Sequence, residues 1–338
     1  MKLVTALRQN GALFLVLIAS LLWPRAPHTF AASAPRTDRL KIGYASITGN
    51  RISLWTAQEK GFFSRNGIQP ELIFIASSAA GIPALIAGET AVYSGSPETA
   101  AQAVAGGGDL VIIASNEPTQ YKLIVQPNIK SVYELKGKRI GIDRIGGSSH
   151  YATRRMLEKL GLKTSDVELL SIAGGGSERV AAFRSGMVSA VASTVERFER
   201  AKVPYHSLGD AVEMGIRVIG SSFMTTRRFR DQNREIMQRF ARALIEAAQW
   251  SKDPKNHAEV IGIYSRYLRT QDTSVLELNY KLYIDPMPVF PYTNMDDLQA
   301  NLAGLAESNP KLRDLNLAEF VDNSFVRRVQ QEGVGQAR

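Results

Sequence analysis

The sequence predicts an α/β protein built from two mostly parallel sheets that are flanked by helices. From Leu40 onward, short apolar runs alternate with segments whose apolar residues recur at helical spacing, as in α/β domains. This alternation falls into two groups, one that extends to Tyr121 and one that begins at Arg139. The turns that lead from strands to helices carry serine, threonine, asparagine or glycine at their tips, which favours helix starts there.

The first group contains four predicted strands. Each is a short apolar run, and a polar turn with a helical segment follows each of the first three. In the third of these turns, Ser96 is expected to cap the next helix and Pro97 to occupy its first position. The helix that contains Leu54 and Trp55 is expected to end at Gly61. The four predicted strands are residues 40–45, 71–75, 91–93 and 110–114.

The second group repeats this arrangement. An apolar run predicts a strand, Gly146 and Gly147 predict a turn, and Ser148 or Ser149 is expected to cap a helix that extends to Leu160. A second helix is expected to follow the glycines at 174–176. Predicted strands are residues 139–142, 167–171 and 190–191, and further extended segments are expected at 121–125, 216–219 and 223–226.

The last third of the chain is predicted to be mainly helical. Apolar residues at helical spacing mark two buried faces, and prolines separate the later helices. The faces consist of Ile236, Phe240, Leu244 and Ala248, and of Ile261, Tyr264 and Leu268. Two further helices are expected at 276–283 and 295–305, on either side of Pro286, Pro288 and Pro291.

Six polar turn tips are expected to face one cleft. Ligands of open parallel sheets sit outside the carboxyl ends of the strands, so two sheets that face each other direct their tips into one space. Helix starts attract anions through free N–H groups and the helix dipole. Ser96, Ser148 and Ser177 are expected at such helix starts. Arg144 is expected to pair with a carboxylate or sulfonate through two hydrogen bonds. Tyr93 or Trp55 is expected either to form an aromatic wall of the cleft or to pack in the core. The tips are residues 46–50, 76–81, 94–98, 115–119, 146–149 and 174–177.

The first 34 residues predict a secretory signal peptide. Lys2 and Arg8 precede an uncharged apolar run at 11–23, and Ala-Ser-Ala follows at 32–34, which is the order found in such signals. Cleavage is expected between Ala31 and Ala34. The run is short for a bilayer span, which disfavours the alternative of an uncleaved anchor.

Composition narrows the class of protein further. The chain has 338 residues and no cysteine, so disulfides, a lipidated cysteine, a thiol nucleophile and a thiolate metal site are excluded. After removal of the signal, 38 cations face 32 acids, and the cations are spread along the chain. This distribution argues against nucleic acid as a partner and favours anionic ligands mildly. We expect a soluble periplasmic monomer of a Gram-negative cell, without a cofactor or a metal.

Several motifs then resemble one family. The chain is similar to substrate-binding proteins of ABC transporters of the nitrate, sulfonate and taurine type, a family that also includes thiamine-pyrimidine-synthase-like proteins. It departs from the family pattern at Ala91 and Ser189, where aspartate is frequent. The motifs are Lys41–Tyr44, Leu54-Trp55, Glu59–Phe63 with Gly67-Ile68, Leu85–Glu89, Glu134–Gly141, Leu157–Leu162 and Phe320–Val326.

The resemblance implies a two-lobed periplasmic binding protein fold, with a hinge of two crossing segments at 121–125 and 219–225. Lobe one would comprise residues 38–121 and 224–332, and lobe two residues 122–223. The function implied is capture of a small organic anion for a permease and an ATPase in the inner membrane. The ligand-binding positions implied or expected are Thr48, Gly49, Asn50, Ser78, Ser94, Ser96, Asn116, Arg144, Gly147, Ser148, Ser149, Ser177 and Thr194.

Two alternatives remain at this point. Relatives on the same fold include the fungal thiamine-pyrimidine synthase and an aromatic desulfinase, but their chemistry depends on cysteines, which this chain lacks. His150 adjoins the glycine turn and is a candidate for ligand contact, whereas His206 and His257 are expected at the surface. The second alternative is a binding protein that reports to a sensor, and adjacent permease and ATPase genes would distinguish the two.

Overall fold

The computed structural model describes residues 37–116, 119–306 and 309–335, and two five-stranded sheets organise them. The predicted signal peptide lies outside the described residues. Within the described ranges, none of the helices combines the length and the apolar character needed to span a bilayer.

The first sheet has the strand order β2-β1-β3-β10-β4. Strands β2 and β3 pair with β1 in parallel, whereas β10 runs antiparallel to both of its neighbours. The mostly parallel sheet predicted from the sequence is therefore confirmed. Its strands are β1 (Asp38–Tyr44), β2 (Ile68–Phe74), β3 (Val92–Gly95), β4 (Val111–Ser115) and β10 (Ser222–Thr225).

The second sheet has the strand order β7-β6-β8-β5-β9. Strands β7 and β8 pair with β6 in parallel, and β5 runs antiparallel to β8 and β9. The sequence did not predict β9, and residues 216–219, expected to be extended, form no strand. The strands are β5 (Lys122–Val125), β6 (Arg139–Ile142), β7 (Glu168–Ser171), β8 (Ala190–Ser193) and β9 (His206–Asp210).

In each sheet one strand runs opposite to the others. It is the first strand that the chain forms after it crosses from the other sheet. The chain leaves the first sheet after β4 to form β5, and it leaves the second after β9 to form β10. The crossing segments in the structure are the stretches that connect β4 to β5 and β9 to β10, since residues 122–125 and 222–225, expected at the crossings, form β5 and β10. These two segments bond to each other, because the Thr119 N–H donates to the Val218 carbonyl at 2.8 Å. Buried Asn301 bonds the second crossing through the Ile219 N–H and the Arg217 carbonyl. We refer to each sheet with the helices packed on it as a lobe.

Seven helices accompany the strands and seven more lie in the C-terminal part of the described chain. A 3₁₀ turn at Gly49–Arg51 precedes the first helix. The helices that accompany the strands are α1 (Ile52–Glu59), α2 (Phe62–Arg65), α3 (Ser78–Ile86), α4 (Pro97–Ala105), α5 (Ser148–Lys159), α6 (Gly176–Arg184) and α7 (Val195–Ala201). The later helices are α8 (Arg227–Gln232), α9 (Arg234–Lys252), α10 (His257–Leu268), α11 (Thr273–Tyr283), α12 (Met295–Leu305), α13 (Leu317–Phe320) and α14 (Ser324–Gln331).

Local sequence accounts for the helix starts that border the cleft. Ser96 caps α4 by accepting from the Thr99 N–H at 3.1 Å, and Pro97 follows at the first helical position, as predicted. At α5 the capping residue is Gly147, so the expectation that Ser148 or Ser149 caps the helix is wrong. The hydroxyl of Ser149 bonds to Asp143 instead. At α6 the cap is Gly175, and Ser177 lies within the first turn.

Helix α12 packs between the two lobes. Its residues Leu298 and Leu302 belong to one apolar cluster with Met156 of α5 and Ala100 and Ala101 of α4. The tight approach is visible at Gly304, where an added Cβ would contact the ring of Tyr151. One side of the cleft is therefore closed by apolar contacts, which leaves the polar helix starts to face each other on the other side.

Candidate functional site

A cavity of about 580 Å³ lies between the two lobes, where turns and helix starts from both sheets meet. Its volume falls within the usual range for small-molecule sites, about 300–1,000 Å³. Lobe one supplies Asn50, Arg51, Ser78, Ser96 and Thr99, and the crossing segments supply Thr119, Tyr121, Ile219 and Ser221. Lobe two supplies Asp143, Arg144, Ser148, Gly174–Gly176, Arg179 and Arg197.

Arg51 is the most deeply buried cation of the cavity lining, with 1% of its surface exposed. Its Nη1 donates to the Ser94 hydroxyl at 2.5 Å, and its Nη2 donates to Ser221 at 2.7 Å and to Ser46 at 3.2 Å. Its Nε is buried without a hydrogen-bond partner. Burial lowers the pKa of Arg51 to about 10, so the side chain remains a cation at neutral pH. Three neutral hydroxyls position this charge and none of them neutralises it.

Arg179 is a second buried cation, contributed by α6 of lobe two. Only 6% of its surface is exposed, and its Nε is buried without a hydrogen-bond partner. Within the described part of the chain, neither Arg179 nor Arg51 forms an ion pair with a carboxylate. Burying a charge is costly unless it is paired, so the lining contains two cations that favour an anion beside them.

Arg197 lies against the start of α6. Its Nε donates to Thr194 at 3.1 Å and lies 3.8 Å from a carboxylate oxygen of Glu196. A Cβ added to Gly176 would overlap the guanidinium group of Arg197. The absence of a side chain at Gly176 therefore allows this cation to reach the cavity.

Arg144 follows β6, as predicted, and lines the cavity. Burial lowers its pKa, and the neighbouring Asp143 carboxylate partly offsets this effect. Its Nη2 donates to Gln102 of α4 at 3.3 Å. The same Gln102 donates from Nε2 to the Gly146 carbonyl at 2.5 Å, so this side chain connects lobe one to the turn that carries Arg144.

Hydrogen bonds also join the lobes at two other places. The Ser148 hydroxyl of α5 donates to Glu98 of α4 at 2.6 Å. On the opposite side, the Tyr283 hydroxyl of α11 donates to Glu196 of α7 at 2.8 Å, and Arg200 donates to the Ile47 carbonyl at 3.1 Å. The structure therefore has its lobes in direct contact around the cavity.

Glu98 is the acid at one of these lobe contacts. Its carboxylate accepts from the hydroxyls of Ser96 and Ser148, while its Oε1 is buried without a partner. Burial raises the pKa of Glu98, although the bonds from Ser148 and Ser96 act in the opposite direction. Burial therefore penalises the charged form of Glu98 in the folded protein, whereas the bond from Ser148 across the cleft favours that form.

We expect Glu98→Gln to raise the free energy of unfolding at pH 8. A carboxyl whose pKa is raised by folding destabilises the folded state when it is ionised, and this penalty disappears as the pH falls below its ordinary value of about 4.5. The gain over the natural protein should therefore be largest at pH 8 and should shrink toward pH 4.5. Urea unfolding across this range measures it, with exposed Glu89→Gln as the control. A constant difference between the two proteins would contradict the assignment.

Five of the predicted site residues line the cavity: Asn50, Ser78, Ser96, Arg144 and Ser148. The remaining eight lie around it and support it. Thr48 and Asn116 bond to Asn50, Gly49 lies against Tyr283, and Ser94 bonds to Arg51. Gly147 caps α5, Ser149 bonds to Asp143, Ser177 lies in the first turn of α6, and Thr194 bonds to Glu196.

Three aromatic or imidazole candidates lie elsewhere. Trp55 stacks on Tyr267 at 4.7 Å in the core, and the hydroxyl of buried Tyr93 donates to the Ser77 carbonyl at 2.8 Å. Both therefore pack in the core, which is the alternative that the sequence favoured, and Tyr121 lines the cavity. His150 is buried, and its Nδ1 accepts from the Gly146 N–H at 2.9 Å, so it holds the turn and does not line the cavity.

Sequence reasoning missed three cations of the cavity lining, Arg51, Arg179 and Arg197. Arg51 and Arg179 follow predicted turn tips by one and two residues, at or near a helix start, whereas Arg197 lies in the first turn of α7 and follows none of the predicted tips. The position that Arg51 and Arg179 share is a usable signal. In the described ranges, no group of three or more histidine, aspartate or glutamate side chains is arranged to hold a metal ion.

The fold and the cleft define a class: a two-lobed α/β protein with a polar, cation-lined cavity between its sheets. The family model described as NMT1/THI5 like matches residues 48–257. The chain therefore belongs to the NMT1/THI5-like family, as its motifs indicated.

Curated relatives match over part of the chain. A protein of Haemophilus influenzae, whose name proposes a role in thiamine biosynthesis, is 31% identical over 158 residues, which are 45% of this chain and 48% of that protein. A protein of Brucella abortus, named as a proposed binding protein, is 29% identical over 165 residues, 48% of this chain and 50% of that protein. The chain thus spans about half the length of the curated relatives that it matches.

Solved structures match over most of the chain. A protein of Bordetella bronchiseptica has a TM-score of 0.74 at 22% identity, covering 88% of this chain and 98% of that one. The alkanesulfonate-binding protein SsuA of Xanthomonas axonopodis, bound to MOPS, has a TM-score of 0.69 at 21% identity, with coverages of 86% and 99%. The periplasmic nitrate-binding protein NrtA of Synechocystis has a TM-score of 0.70 at 14% identity, with coverages of 88% and 90%. These likenesses establish the periplasmic binding protein fold.

Proposed function

We propose that this chain is the solute-binding component of an ABC importer, which captures a small organic anion, such as a sulfonate or a carboxylate, between its lobes. The observation that carries the proposal is Arg51, a cation with 1% of its surface exposed that lines the cavity and, among the described residues, bonds only to serine hydroxyls. An anionic group beside it supplies the missing opposite charge. Charge-assisted bonds of this kind are roughly twice as strong as neutral ones.

The surrounding groups suit an anion as well. Helices α4 and α5 both begin at the cavity, and Ser96 and Ser148 of these starts lie within 3.1 Å of each other. Burial raises the pKa of Tyr121 to about 12, so its hydroxyl remains a neutral donor at physiological pH. The lining thus offers cations, helix starts and hydroxyl donors around one space.

Delivery would follow from the two-lobed construction. A ligand that contacts both lobes stabilises the arrangement in which they touch, and two thin crossing segments permit hinge opening. A permease and an ATPase of the inner membrane are the proposed partners, and a soluble monomer in the periplasm is the proposed form. The lobe limits proposed are residues 38–121 with 224–332, and residues 122–223.

Binding is proposed in preference to the cysteine-dependent chemistry of enzymes on this fold, because the thiol is absent and the histidine beside the cleft is engaged. The chain contains no cysteine, and the Nδ1 of His150 already accepts a backbone hydrogen bond. A nucleophile needs an adjacent base that is held for proton transfer. The cation-lined cavity instead has the character of a site that holds an anion unchanged.

A thermal-shift screen tests the proposal. Organic sulfonates and carboxylates are compared with neutral analogues of the same shape, for example benzoate with benzamide. A true ligand at 100 times its dissociation constant adds about 2.7 kcal/mol of stability, which raises the melting temperature of a protein of this size by about 5 °C. We expect this shift with an anion and not with its neutral analogue. Equal shifts for both, or a preference for cations, would contradict the proposal.

A further inference from the structure

Among the residues that the structure describes, two guanidinium groups of the cavity are buried without a carboxylate partner, and they come from opposite lobes. Arg51 belongs to the turn after β1 and Arg179 to α6, and their exposed fractions are 1% and 6%. Each has a buried Nε that lacks a hydrogen-bond partner. Each lobe therefore contributes to the cavity one buried cation that needs an anionic partner.

The acids around the cavity are already committed to other groups. Asp143 accepts from Ser149 at 2.7 Å and raises the pKa of the adjacent Arg144. Glu196 lies 3.8 Å from Arg197 and accepts from Tyr283. Glu98 accepts from Ser96 and Ser148. The neighbouring acids therefore leave both Arg51 and Arg179 to be neutralised by the ligand.

A ligand whose one anionic group contacts only one of the two buried cations would leave the other without an opposite charge. An unpaired buried charge is strongly unfavourable, so such a ligand would realise only part of the available stabilisation. The cavity volume of about 580 Å³ also exceeds what a single small anionic group fills. Its apolar lining residues, among them Ile219 and Ala79, suit a carbon body between two polar ends.

We infer that the ligand is a small organic dianion whose two anionic groups are separated by a carbon body, one group bound by Arg51 and the other by Arg179. Dicarboxylates and sulfocarboxylates have this chemistry. The inference rests on the proposed function and specifies the ligand class of the same cleft.

Matched pairs of anions test the number of charges. Calorimetric titration compares butanoate with succinate, benzoate with isophthalate, and propanesulfonate with 3-sulfopropionate. Within the pair whose body fits, we expect the dianion to bind at least about 30-fold more tightly. Equal affinities within every pair that binds would overturn the inference while the proposed function stands. A cleft that binds neutral analogues and no anion would overturn both.

The variant Arg179→Gln separates the two ends of the ligand. It should reduce the advantage of the dianion over the matching monoanion to less than about threefold. The matched control is Arg184→Gln, an exposed arginine of the same helix, which should retain the full advantage. An unchanged advantage in Arg179→Gln would overturn the inference.

A probe that does not require the natural ligand is bromide. Crystals soaked in bromide should show two anomalous peaks in the cavity, one beside the Arg51 guanidinium and one beside that of Arg179. A single peak shared by the two cations, or none at Arg179, would overturn the inference of two separated groups.

Discussion

Arg51→Met is expected to lower the affinity for the cleft anion by about 3–5 kcal/mol, which is at least 100-fold. The substitution removes a buried charge that bonds to the ligand, and losses of this size are usual when one partner of a buried charge pair is removed. The ligand-free protein should lose less than about 1 kcal/mol of stability. Three hydroxyl bonds are lost, but an unpaired buried cation is removed as well.

This pair of effects distinguishes a ligand-binding role from a structural one. Calorimetric titration gives the affinity, and urea unfolding without ligand gives the stability. The control is Arg266→Met, an exposed arginine of α10 that pairs with Glu59, and it should bind normally. If Arg51→Met unfolds readily but its folded fraction binds normally, Arg51 serves the fold alone.

Gly176→Ala is expected to weaken binding by about 100-fold with little loss of stability. The new Cβ would overlap the guanidinium of Arg197, and the far end of that flexible side chain can move away at small cost. Its displacement removes a cation from the cavity and breaks its bond to Thr194. Since hydrogen bonds that involve charged groups contribute about 1.5–3 kcal/mol, the loss of one such bond to the ligand accounts for the expected change.

The neighbouring glycine provides a matched control. A Cβ added to Gly175 would lie 3.4 Å from a carboxylate oxygen of Glu178, which is an ordinary contact. Gly175→Ala should therefore bind within about threefold of the natural protein. Equal losses of affinity in both variants would point to a general disturbance of α6 and would contradict the specific role of Arg197.

Sequence patterns predicted the elements whose residues are strongly apolar or whose caps are distinctive. The limits of α12 were predicted correctly, as were the Ser96 cap and Pro97 at the start of α4. Strand β9 was not predicted from the sequence because all of its residues are only partly buried. Its sequence, His-Ser-Leu-Gly-Asp, therefore contains no apolar run. Helix α7 was not predicted because it is short and carries several charges, and of its residues only Glu196 and Phe198 are buried.

The turns around the candidate site and five of its lining residues were predicted, whereas three of its cations were not. The turn tips do lead to the cavity, because strand ends and helix starts of both sheets converge there. The cations were harder to predict, because an arginine near a turn is usually exposed. Arg51 is recognised as a buried cation only through Ser94 and Ser221, which are 43 and 170 residues away in the sequence. Contacts over such separations arise from tertiary packing, which local patterns do not encode.

The lobe contacts and the ligand site share residues, which couples binding to closure. Ser96 and Ser148 line the cavity and also meet across it, where both hydroxyls donate to Glu98. Gln102 holds both Arg144 and the Gly146 carbonyl. A ligand that bonds to these groups therefore favours the same arrangement as the lobe contacts, so that capture and closure are expected to occur together.

The crystal structure of the protein with the anion that gives the largest thermal shift tests the central claim most directly. We predict an anionic group about 3 Å from the guanidinium of Arg51, in a cavity bordered by the starts of α4 and α5. A ligand bound elsewhere on the protein, with Arg51 bonded only to Ser46, Ser94 and Ser221, would contradict the claim that this cleft captures a small organic anion.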